Sequence, residues 1–449
     1  MMRLLFVFFF LCSCATRNNV LNQYREKLQN GLAHKSQRTH ILFLVDGLSY
    51  TVMKQQLKNG SLPNIKTFFL APGQVLRKAH AVFPSLTFTN IAGILKEKPV
   101  HQTNAIGNKI VYNNRRINFE SLDDRQNFTE IMRANNIFTR LNQKNYLTAS
   151  FDYGLAADAS LSSELDFQSA YAASQSDYRY IDLKKNDALK LLLSTTKTNQ
   201  WPEFIFVHLV GYDFLSHRFG PQSAETLSYL KTIDSDLADT LNLLKKTESE
   251  HQVISILSAD HGFSLNAKNY VDIGQLVKKT APGAVVINES RMASLYYEKP
   301  SSTGELDTLT KKLIKQKGIE LIAYKKSGQI KLQTHGRSFT YQELNQECVG
   351  GGVKISTENF TDICSTQLPE SIKNMFYPFF IENLASYFSN PHWPDVVIIP
   401  NADTTFTNVG RGFHGGPTAD ETITPLLMRN AKIPQDVIIP NWQLLNFIN

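Results

Sequence analysis

The chain alternates short apolar runs with amphipathic segments along most of its length. The apolar runs have the length and composition of buried strands, and they are Ile41–Val45, Phe204–Val210, Val253–Leu257 and Val396–Ile399. Between them, residues 223–246 carry leucine and isoleucine at steps of three and four, the pattern of an amphipathic helix. This alternation predicts an α/β fold with a doubly wound, mostly parallel central sheet flanked by helices.

Residues 266–372 follow a different pattern. Short alternating strands such as Ala293–Tyr297 and Gln329–Gln333 surround one charged helix, Leu306–Lys317. The pattern predicts a small α+β subdomain inserted into the main fold. The catalytic core is therefore expected in two parts, residues 39–265 and 373–449.

The first 14 residues resemble a lipoprotein signal peptide. The apolar run Leu4–Leu11 is too short to span a bilayer but has the length of a signal-peptide core. The sequence Leu-Cys-Ser-Cys that ends at Cys14 resembles a bacterial lipobox. Cys14 would then be lipidated and attach an exported protein to the cell envelope, facing the periplasm or the cell exterior. An ordinary cleaved signal peptide is the alternative. Residues 15–38 are polar and are predicted to form a tether.

Export changes how the remaining cysteines are interpreted. Cys348 and Cys364 lie on either side of a Gly-rich turn, and in an oxidising compartment this spacing predicts a disulfide. Two buried free thiols are the alternative.

The net charge of the chain says little about which molecules it binds. The chain has 47 Lys and Arg against 40 Asp and Glu, a formal net charge of +7, and its basic residues are scattered. Such a chain tolerates anionic substrates or a membrane surface, but no nucleic-acid-binding surface is evident. The oligomeric state is left open.

Carboxylates and imidazoles follow several of the predicted strands, and one histidine stands among glycines near the C-terminus. In chain order they are Asp46, Asp213, His217, Asp260, His261 and His414. Ligands of open α/β sheets bind outside the carboxyl ends of the strands, so these side chains would converge there. Three aspartates and three histidines make two sites with mixed oxygen and nitrogen ligands, a set that suits zinc.

Each of these residues also has an ordinary structural explanation. Asp46-Gly could be a plain turn, and Asp213 could be a helix cap. An adjacent aspartate and histidine at a strand end, as at Asp260 and His261, have few structural uses. The ordered set as a whole therefore favours a metal site.

The same set of motifs resembles the alkaline phosphatase superfamily and, within it, the nucleotide pyrophosphatase/phosphodiesterase family. The motifs are Asp46-Gly47, Phe83-Pro84-Ser85-Leu86-Thr87-Phe88-Thr89-Asn90, Asp213-x-x-x-His217, Asp260-His261-Gly262 and His414-Gly415-Gly416, with Gly107-Asn108, Gly220-Pro221, Glu421 and Pro425-Leu426 as flanking matches. Two positions depart from the family pattern: Thr89 replaces a proline, and Ile91 stands where a histidine is common. The resemblance implies an alkaline phosphatase-like fold over roughly residues 39–265 and 373–449.

By this resemblance the protein would bind two zinc ions per chain. One would be held by Asp213, His217 and His414, and the other by Asp46, Asp260, His261 and the Thr87 oxygen. Thr87 would be the nucleophile and would form a phosphothreonine intermediate, since metal coordination lowers the pKa of a hydroxyl. Asn90 lies one helical turn beyond Thr87, so its amide is predicted to contact a phosphate oxygen.

The implied activity is hydrolysis of small phosphate esters, such as nucleotides or phospholipid head groups, with diesters preferred. A phosphomonoesterase of the same superfamily is the alternative, and a non-catalytic binding lipoprotein is a second one. A sulfatase is disfavoured because the sequence has no Cys-x-Pro-x-Arg motif.

The diester preference rests on the stretch 149–154. Threonine-nucleophile monoesterases of the superfamily carry a Lys-x-Arg pair after the nucleophile helix, and Phe151 and Tyr153 are aligned with those two cations. The two rings would offer apolar surface to the second ester group, unless they simply pack in the core. If a cation is supplied elsewhere, the first candidates are Lys109, Arg115 and Arg116.

Overall fold

The structure, a computed structural model, describes most of the chain. The described residues are 20–27, 29, 38–70, 74–112, 115–121, 123–133, 135–152, 155–156, 158–163, 167–248, 251–297, 303–336, 338–347, 353–357, 363–364, 367, 377–431 and 437–448. Cys14, Tyr153 and Cys348 lie outside them.

Strands and helices alternate through the first half of the chain. The strands are β1 (Arg38–Val45), β2 (Arg77–His80), β3 (Lys109–Tyr112), β4 (Arg115–Asn118), β5 (Thr148–Phe151), β6 (Leu161–Ser162), β7 (Phe204–Leu209), β8 (Gln252–Ser258), β9 (Asn269–Tyr270), β10 (Ala284–Asn288), β11 (Ala293–Tyr297), β12 (Ile319–Lys326), β13 (Gln329–Thr334), β14 (Ser338–Glu347), β15 (Val353–Thr357), β16 (Ile363–Cys364), β17 (Val396–Pro400), β18 (Thr404–Thr405), β19 (Ile423–Arg429) and β20 (Ile439–Pro440). The helices that follow β1 are α1 (Tyr50–Lys58), α2 (Pro63–Phe69), α3 (Thr87–Lys96), α4 (Arg125–Arg133), α5 (Ile137–Gln143), α6 (Phe167–Ser174), α7 (Tyr178–Thr195), α8 (Gly211–Phe219), α9 (Ala224–Thr247), α10 (Ile273–Thr280), α11 (Thr303–Leu313), α12 (Phe380–Ser389) and α13 (Ala419–Thr422).

The main sheet has the strand order β20-β2-β19-β8-β1-β7-β5-β6. Its centre is parallel: β1 pairs with both β7 and β8, and β5 pairs with β6 and β7. Strand β19 runs antiparallel to its two neighbours, β8 and β2. The predicted mostly parallel central sheet is confirmed.

Both faces of the main sheet are covered, and β1 shows why. Seven of its eight residues are buried, and its side chains alternate between two hydrophobic clusters. Leu42 and Leu44 pack with α3 on one face, while Ile41 and Phe43 pack with α9 on the other. A strand buried on both faces appears in the sequence as a continuous apolar run.

A second sheet, of order β10-β11-β17-β12-β13-β14-β15-β16, contains the inserted region. The expected boundary at 372–373 does not hold, because β17 lies between β11 and β12 and runs antiparallel to both. The run Val396–Ile399 is therefore a strand, as predicted, but belongs to this second sheet. Val397 and Ile399 of β17 pack in the same hydrophobic cluster as Leu42 of the main sheet, so the two sheets share a core.

The expected tether, residues 15–38, is partly folded. Residues 20–27 are helical, and Val20, Leu21 and Tyr24 are buried against the core. The Tyr24 hydroxyl donates to the backbone oxygen of Gln200 at 2.9 Å. This stretch is thus part of the globular fold, which corrects the prediction for it.

The predicted disulfide falls partly within the described residues. Cys364 is disulfide-bonded, and its predicted partner Cys348 lies outside the described residues. No helix in the described part of the chain is both long enough and apolar enough to cross a bilayer.

Candidate active site

The carboxyl ends of the three central strands bring most of the predicted metal ligands together. Val45 of β1 is level with Leu209 of β7, and Leu44 is level with Ser258 of β8. The same edge of the sheet therefore carries Asp46, the start of helix α8 and the Asp260-His261 pair. His414 reaches this edge from the loop between β18 and α13.

The first cluster consists of Asp213, His217 and His414, whose ligand atoms all lie within 4.8 Å of one another. The Nε2 atoms of His217 and His414 are 3.0 Å apart. Asp213 lies 3.6 Å from His217 and 3.8 Å from His414, measured between carboxylate oxygen and Nε2. Because Asp213 and His217 are four residues apart on α8, they project from one face of this helix.

The second cluster consists of Asp46, Asp260 and His261, again within 4.8 Å. Nε2 of His261 lies 3.5 Å from Oδ1 of Asp46 and 3.3 Å from Oδ2 of Asp260. Oγ1 of Thr87 lies 3.1 Å from the same Nε2 atom. The structure therefore places the predicted nucleophile beside this cluster.

The two clusters are neighbours. The rings of His261 and His414, one from each cluster, stack with centroids 3.8 Å apart and planes at 13°. Gly47 makes room for this arrangement: its φ is +75°, and a Cβ there would lie 2.5 Å from the ring of Phe263 and 3.1 Å from Oδ1 of Asp213.

Each histidine of the two clusters is held by a backbone carbonyl. Nδ1 of His217, His261 and His414 contacts the oxygens of Gly412, Gly262 and Ser85 at 2.9, 3.1 and 3.0 Å, respectively. A carbonyl can only accept, so each Nδ1 carries the proton and each Nε2 presents a lone pair to the site. This is the orientation that metal-binding histidines take.

The electrostatics of both clusters favour the binding of cations. Burial, and then the neighbouring carboxylates of Asp260 and Asp213, raise the pKa of Asp46 well above its usual value. Burial also raises the pKa of Asp213, and it lowers the pKa of His414 well below its usual value. One carboxylate oxygen of each aspartate is buried without a hydrogen-bond partner among the described residues, namely Oδ1 of Asp46, Oδ1 of Asp213 and Oδ2 of Asp260. Buried lone pairs that face one another in this way fit divalent metal ions.

The start of α8 depends on residues that the sequence analysis did not single out. The backbone N–H groups of Val210 and Gly211 donate to the two carboxylate oxygens of Asp182 at 3.0 and 2.9 Å. The side chain of Val210, the N-cap residue of α8, has no polar atom that could do this. Asp182 of α7 thereby caps the helix that carries Asp213 and His217.

The prediction for Asn90 is corrected. Its side chain is fully buried, and its oxygen accepts from the backbone N–H of Val82 at 2.8 Å and from Asn441. Its nitrogen donates to the backbone oxygens of Pro84 and Leu86 at 3.2 and 2.9 Å. All of its hydrogen-bonding capacity holds the loop before Thr87, so none remains for a phosphate oxygen.

A different amide lies beside the nucleophile. Oδ1 of Asn108 accepts from the backbone N–H of Phe88, the residue after Thr87, at 3.1 Å, and its nitrogen donates to Glu120 at 3.1 Å. The Gly107-Asn108 pair stood in the sequence as a flanking match, but spacing from Thr87 gave no reason to prefer it to Asn90.

The turn between β10 and β11 reaches the site from the second sheet. Arg291 is fully buried, donates to the oxygen of Asn401 at 2.7 Å and lies 3.4 Å from Glu421. Glu421 accepts from the backbone N–H of Gly416 at 2.8 Å and so holds the loop that carries His414. Glu289, in the same turn, accepts from the backbone N–H of Lys109 at 2.6 Å.

Phe151, at the end of β5, does not contribute to the site as predicted, and Tyr153 lies outside the described residues. Phe151 is 1% exposed and packs in the hydrophobic core, so it cannot contact a substrate. A different pair of rings is available: Tyr178 and Phe214 stack in parallel with centroids 3.9 Å apart, and Phe214, directly after Asp213, is 44% exposed.

The cations near the site also differ from those expected. Arg115 is 70% exposed and pairs with Asp124, and Arg116 is exposed, while Lys109 is paired with Glu120 at 3.2 Å. Arg125, not predicted, lies with its Cζ atom 5.4 Å from the centroid of the Phe88 ring. Its Nε donates to the oxygen of Phe119 at 2.9 Å.

Comparison with known proteins agrees with this geometry. Residues 40–415 match the family model described as type I phosphodiesterase / nucleotide pyrophosphatase. Among solved structures, a phosphonoacetate hydrolase from Sinorhizobium meliloti 1021 is similar with a TM-score of 0.60 and 15% identity, over 93% of this chain and 96% of that one. Human ectonucleotide pyrophosphatase / phosphodiesterase 5 gives a TM-score of 0.59 and 12% identity, over 91% and 94%. At such identities these structures show the fold.

Two curated relatives match over short segments. Alkaline phosphatase PafA of Elizabethkingia meningoseptica is 40% identical over 60 residues, which are 13% of this chain and 11% of that protein. GPI ethanolamine phosphate transferase 1 of Chaetomium globosum is 29% identical over 92 residues, which are 19% of this chain and 10% of that protein. The match covers about a tenth of each relative's length. The family model, by contrast, spans both clusters and Thr87, and the chain belongs to the type I phosphodiesterase / nucleotide pyrophosphatase family.

Proposed function

We propose that the protein is a two-zinc phosphoesterase that uses Thr87 as its nucleophile. The observation that carries the proposal is the position of the Thr87 Oγ1 atom, 3.1 Å from Nε2 of His261 in the second cluster. The first cluster lies beside it and is also complete. Family membership and the fold support phosphoester hydrolysis. Asp213, His217 and His414 would hold one zinc ion, and Asp46, Asp260 and His261 the other.

Zinc bound by these residues would supply Lewis-acid stabilisation of the charge that develops on phosphate oxygens. Thr87 stands at the first position of α3, where backbone N–H groups point out of the helix and favour an anion. Its Oγ1 atom gives up its proton to solvent and attacks phosphorus, while the ester oxygen leaves with its electron pair and takes up a proton, so that an alcohol is released and a phosphothreonine forms. Water then attacks the same phosphorus and loses a proton to solvent, and the Thr87 oxygen leaves phosphorus with its electron pair and takes up a proton, which restores the hydroxyl.

We propose that the substrates are diesters, which membership of a phosphodiesterase family supports, and that the stacked Tyr178 and Phe214 rings bind the leaving ester group. In an in-line displacement the leaving group departs on the side opposite the nucleophile. Thr87 lies beside the cluster of Asp46, Asp260 and His261, whereas Asp213 belongs to the other cluster and Phe214 follows it directly. An exposed apolar ring here favours esters whose leaving group is flat or apolar.

A monoesterase is the second candidate, and Arg125 is the observation that favours it. A monoester carries one more charged oxygen than a diester, and guanidinium binds phosphate oxygens well. Arg125 approaches Phe88, the residue directly after the nucleophile, with its Cζ atom 5.4 Å from the ring centroid.

The two candidates are separated by comparing kcat/KM for p-nitrophenyl phosphate and for methyl and nucleotidyl p-nitrophenyl diesters, using zinc-loaded protein. We expect the diesters to be preferred. A monoester preference that disappears in Arg125→Gln but not in Arg116→Gln would instead establish the second candidate. Absence of activity on every ester, with two zinc ions bound, would contradict the proposal.

We propose that the enzyme works at the cell envelope, attached through lipidated Cys14. The support is the sequence that ends at Cys14. Mass spectrometry of the mature N-terminus tests this proposal. We expect Cys14 to be the first residue and to carry a diacylglyceryl group. An unmodified mature chain that begins at a different residue would contradict it.

A further inference from the structure

His208 is a buried histidine that belongs to neither cluster. It lies on β7, level with Leu44 of β1, and its side chain is 2% exposed. Its Nε2 atom is 2.9 Å from Oδ2 of Asp46. Its ring is nearly parallel to that of Phe206, at 15° and 6.0 Å between centroids.

The direction of this hydrogen bond assigns different tasks to the two oxygens of Asp46. A carboxylate that binds a cation is ionised and can only accept a hydrogen bond, so in the metal-bound protein His208 Nε2 carries the proton and donates to Oδ2. The other oxygen, Oδ1, faces His261 at 3.5 Å and has no hydrogen-bond partner among the described residues. Asp46 is thus fixed at one oxygen and open at the other.

The position of His208 is itself anchored from α7. Its backbone oxygen accepts from Nζ of Lys185 at 2.6 Å, and that ammonium lies 3.7 Å from Asp182. Lys185 is fully buried, so it holds the strand at this point without competition from solvent. This contact fixes the backbone at His208, which is the point from which the side chain reaches Asp46.

We propose that His208 is a positioning residue for Asp46: its Nε2–H holds Oδ2 so that Oδ1 points at one zinc ion. The proposal rests on the proposed two-zinc function, but its consequence is for metal affinity and does not depend on the substrate. A donor behind a coordinating group fixes the group's orientation before the metal arrives, and loss of such a partner typically weakens metal binding by about 10- to 100-fold.

Three substitutions test the donor rather than the bulk of the side chain. In His208→Gln the amide nitrogen reaches the place of Nε2, so the hydrogen bond to Asp46 is retained. In His208→Asn the amide reaches only the place of Nδ1. His208→Phe keeps a ring beside Phe206 but has no donor.

A matched control lies at the other end of the sheet. His251 is also buried, and its Nε2 atom contacts Oγ1 of Thr39 at 2.9 Å, far from the metal ligands in the fold. His251→Asn removes an equivalent hydrogen bond, so it reports what the loss of one buried histidine contact does by itself.

The measurement is the zinc dissociation constant of each site, by competition with a chromogenic chelator, together with the absorption spectrum of the cobalt(II) form. We expect one of the two sites to weaken by about 10- to 100-fold in His208→Asn and His208→Phe. His208→Gln should stay within a few-fold of the wild type, and His251→Asn should leave both sites unchanged. Altered cobalt bands are expected only for the Asn and Phe variants.

Unchanged zinc affinities in His208→Phe or His208→Asn, with two ions bound to the wild type, would overturn the proposal for His208 alone. Weakening in His208→Gln equal to that in the other two variants would also overturn it, because the donor would then be irrelevant. If His208→Asn or His208→Phe fails to fold, the other variant is compared with His208→Gln, and if His208→Gln fails, both are compared with His251→Asn. A wild-type chain that binds no zinc would instead remove the proposed function itself.

Discussion

Oγ1 of Thr87 and Nε2 of His261 lie 3.1 Å apart, although 174 residues separate them in the chain. We therefore expect Thr87→Ala to lose several orders of magnitude in kcat, because it removes the attacking oxygen while leaving both ligand clusters intact. Thr87→Ser should retain measurable turnover. Thr89→Val is the control, since Thr89 lies on the same helix but is fully buried, and its hydroxyl makes no hydrogen bond within the described residues. Near-normal turnover in Thr87→Ala would transfer the attack to water.

The amide of Asn90 is expected to contribute to stability and that of Asn108 to catalysis. Asn90→Leu removes several buried hydrogen bonds at about 1 kcal/mol each, so the free energy of unfolding should fall by a few kcal/mol. Asn108→Ala should lower kcat by about 10²-fold, as expected for the loss of one hydrogen bond to the transition state. Denaturant titration of both variants measures the free energy of unfolding, and steady-state kinetics measures kcat. A large kcat loss in a fully stable Asn90→Leu protein would restore the catalytic role that the sequence predicts for this amide.

The buried carboxyl of Glu289 should make the metal-free protein pH-sensitive. Burial raises its pKa from 4.5 to about 7, against the opposing charge of Lys109. Because the folded state holds this proton more tightly than the unfolded chain, the contribution is complete below about pH 4.5 and is lost as the pH rises through about 7. The stability of metal-free protein, from denaturant midpoints, should therefore fall between about pH 5 and 8, and it should fall less in Glu289→Gln. Equal falls in both proteins would show that Glu289 does not hold the proton.

The stacked rings of Tyr178 and Phe214 predict a dependence on the leaving group. Phe214→Ala should raise KM for diesters with an aromatic or nucleotidyl leaving group by about 10-fold, as expected for the loss of one aromatic contact. The KM of a diester with a small alkyl leaving group should change little. Tyr171→Ala is the matched control, because Tyr171 is 60% exposed on the neighbouring helix. An equal rise for every leaving group would mean that the rings only support α8.

The six candidate metal ligands could be predicted from their places in the sequence. Asp46, Asp260 and His261 lie within three residues of a strand end, Asp213 and His217 lie on the helix that follows β7, and His414 stands among glycines. Parallel strands bring their carboxyl ends together, so local sequence was enough to place Asp46, Asp213 and Asp260 at one edge. The supporting residues could not be found in this way. His208 and Asp182 reach the site from the middle of a strand and from a separate helix, and only the folded chain reveals those contacts.

Two errors in the predicted fold also have physical causes. The apolar run at 396–399 has the same composition whichever sheet it joins, so the sequence does not reveal that β17 belongs to the second sheet. The helix at residues 20–27 is mostly polar, and three buried side chains, Val20, Leu21 and Tyr24, are enough to dock it.

The turn between β10 and β11 has a consequence for protein engineering. Arg291 contacts Glu421, which holds the loop of His414, and Glu289 holds the backbone of Lys109. The fit is close, since a Cβ at Gly415 would lie only 2.7 Å from the backbone oxygen of Glu289. Exchange of the inserted region for that of another family member would therefore disturb the loop of the candidate metal ligand His414. A functional chimera would have to keep this turn together with Glu421, and place its crossover points further out along β10 and β11.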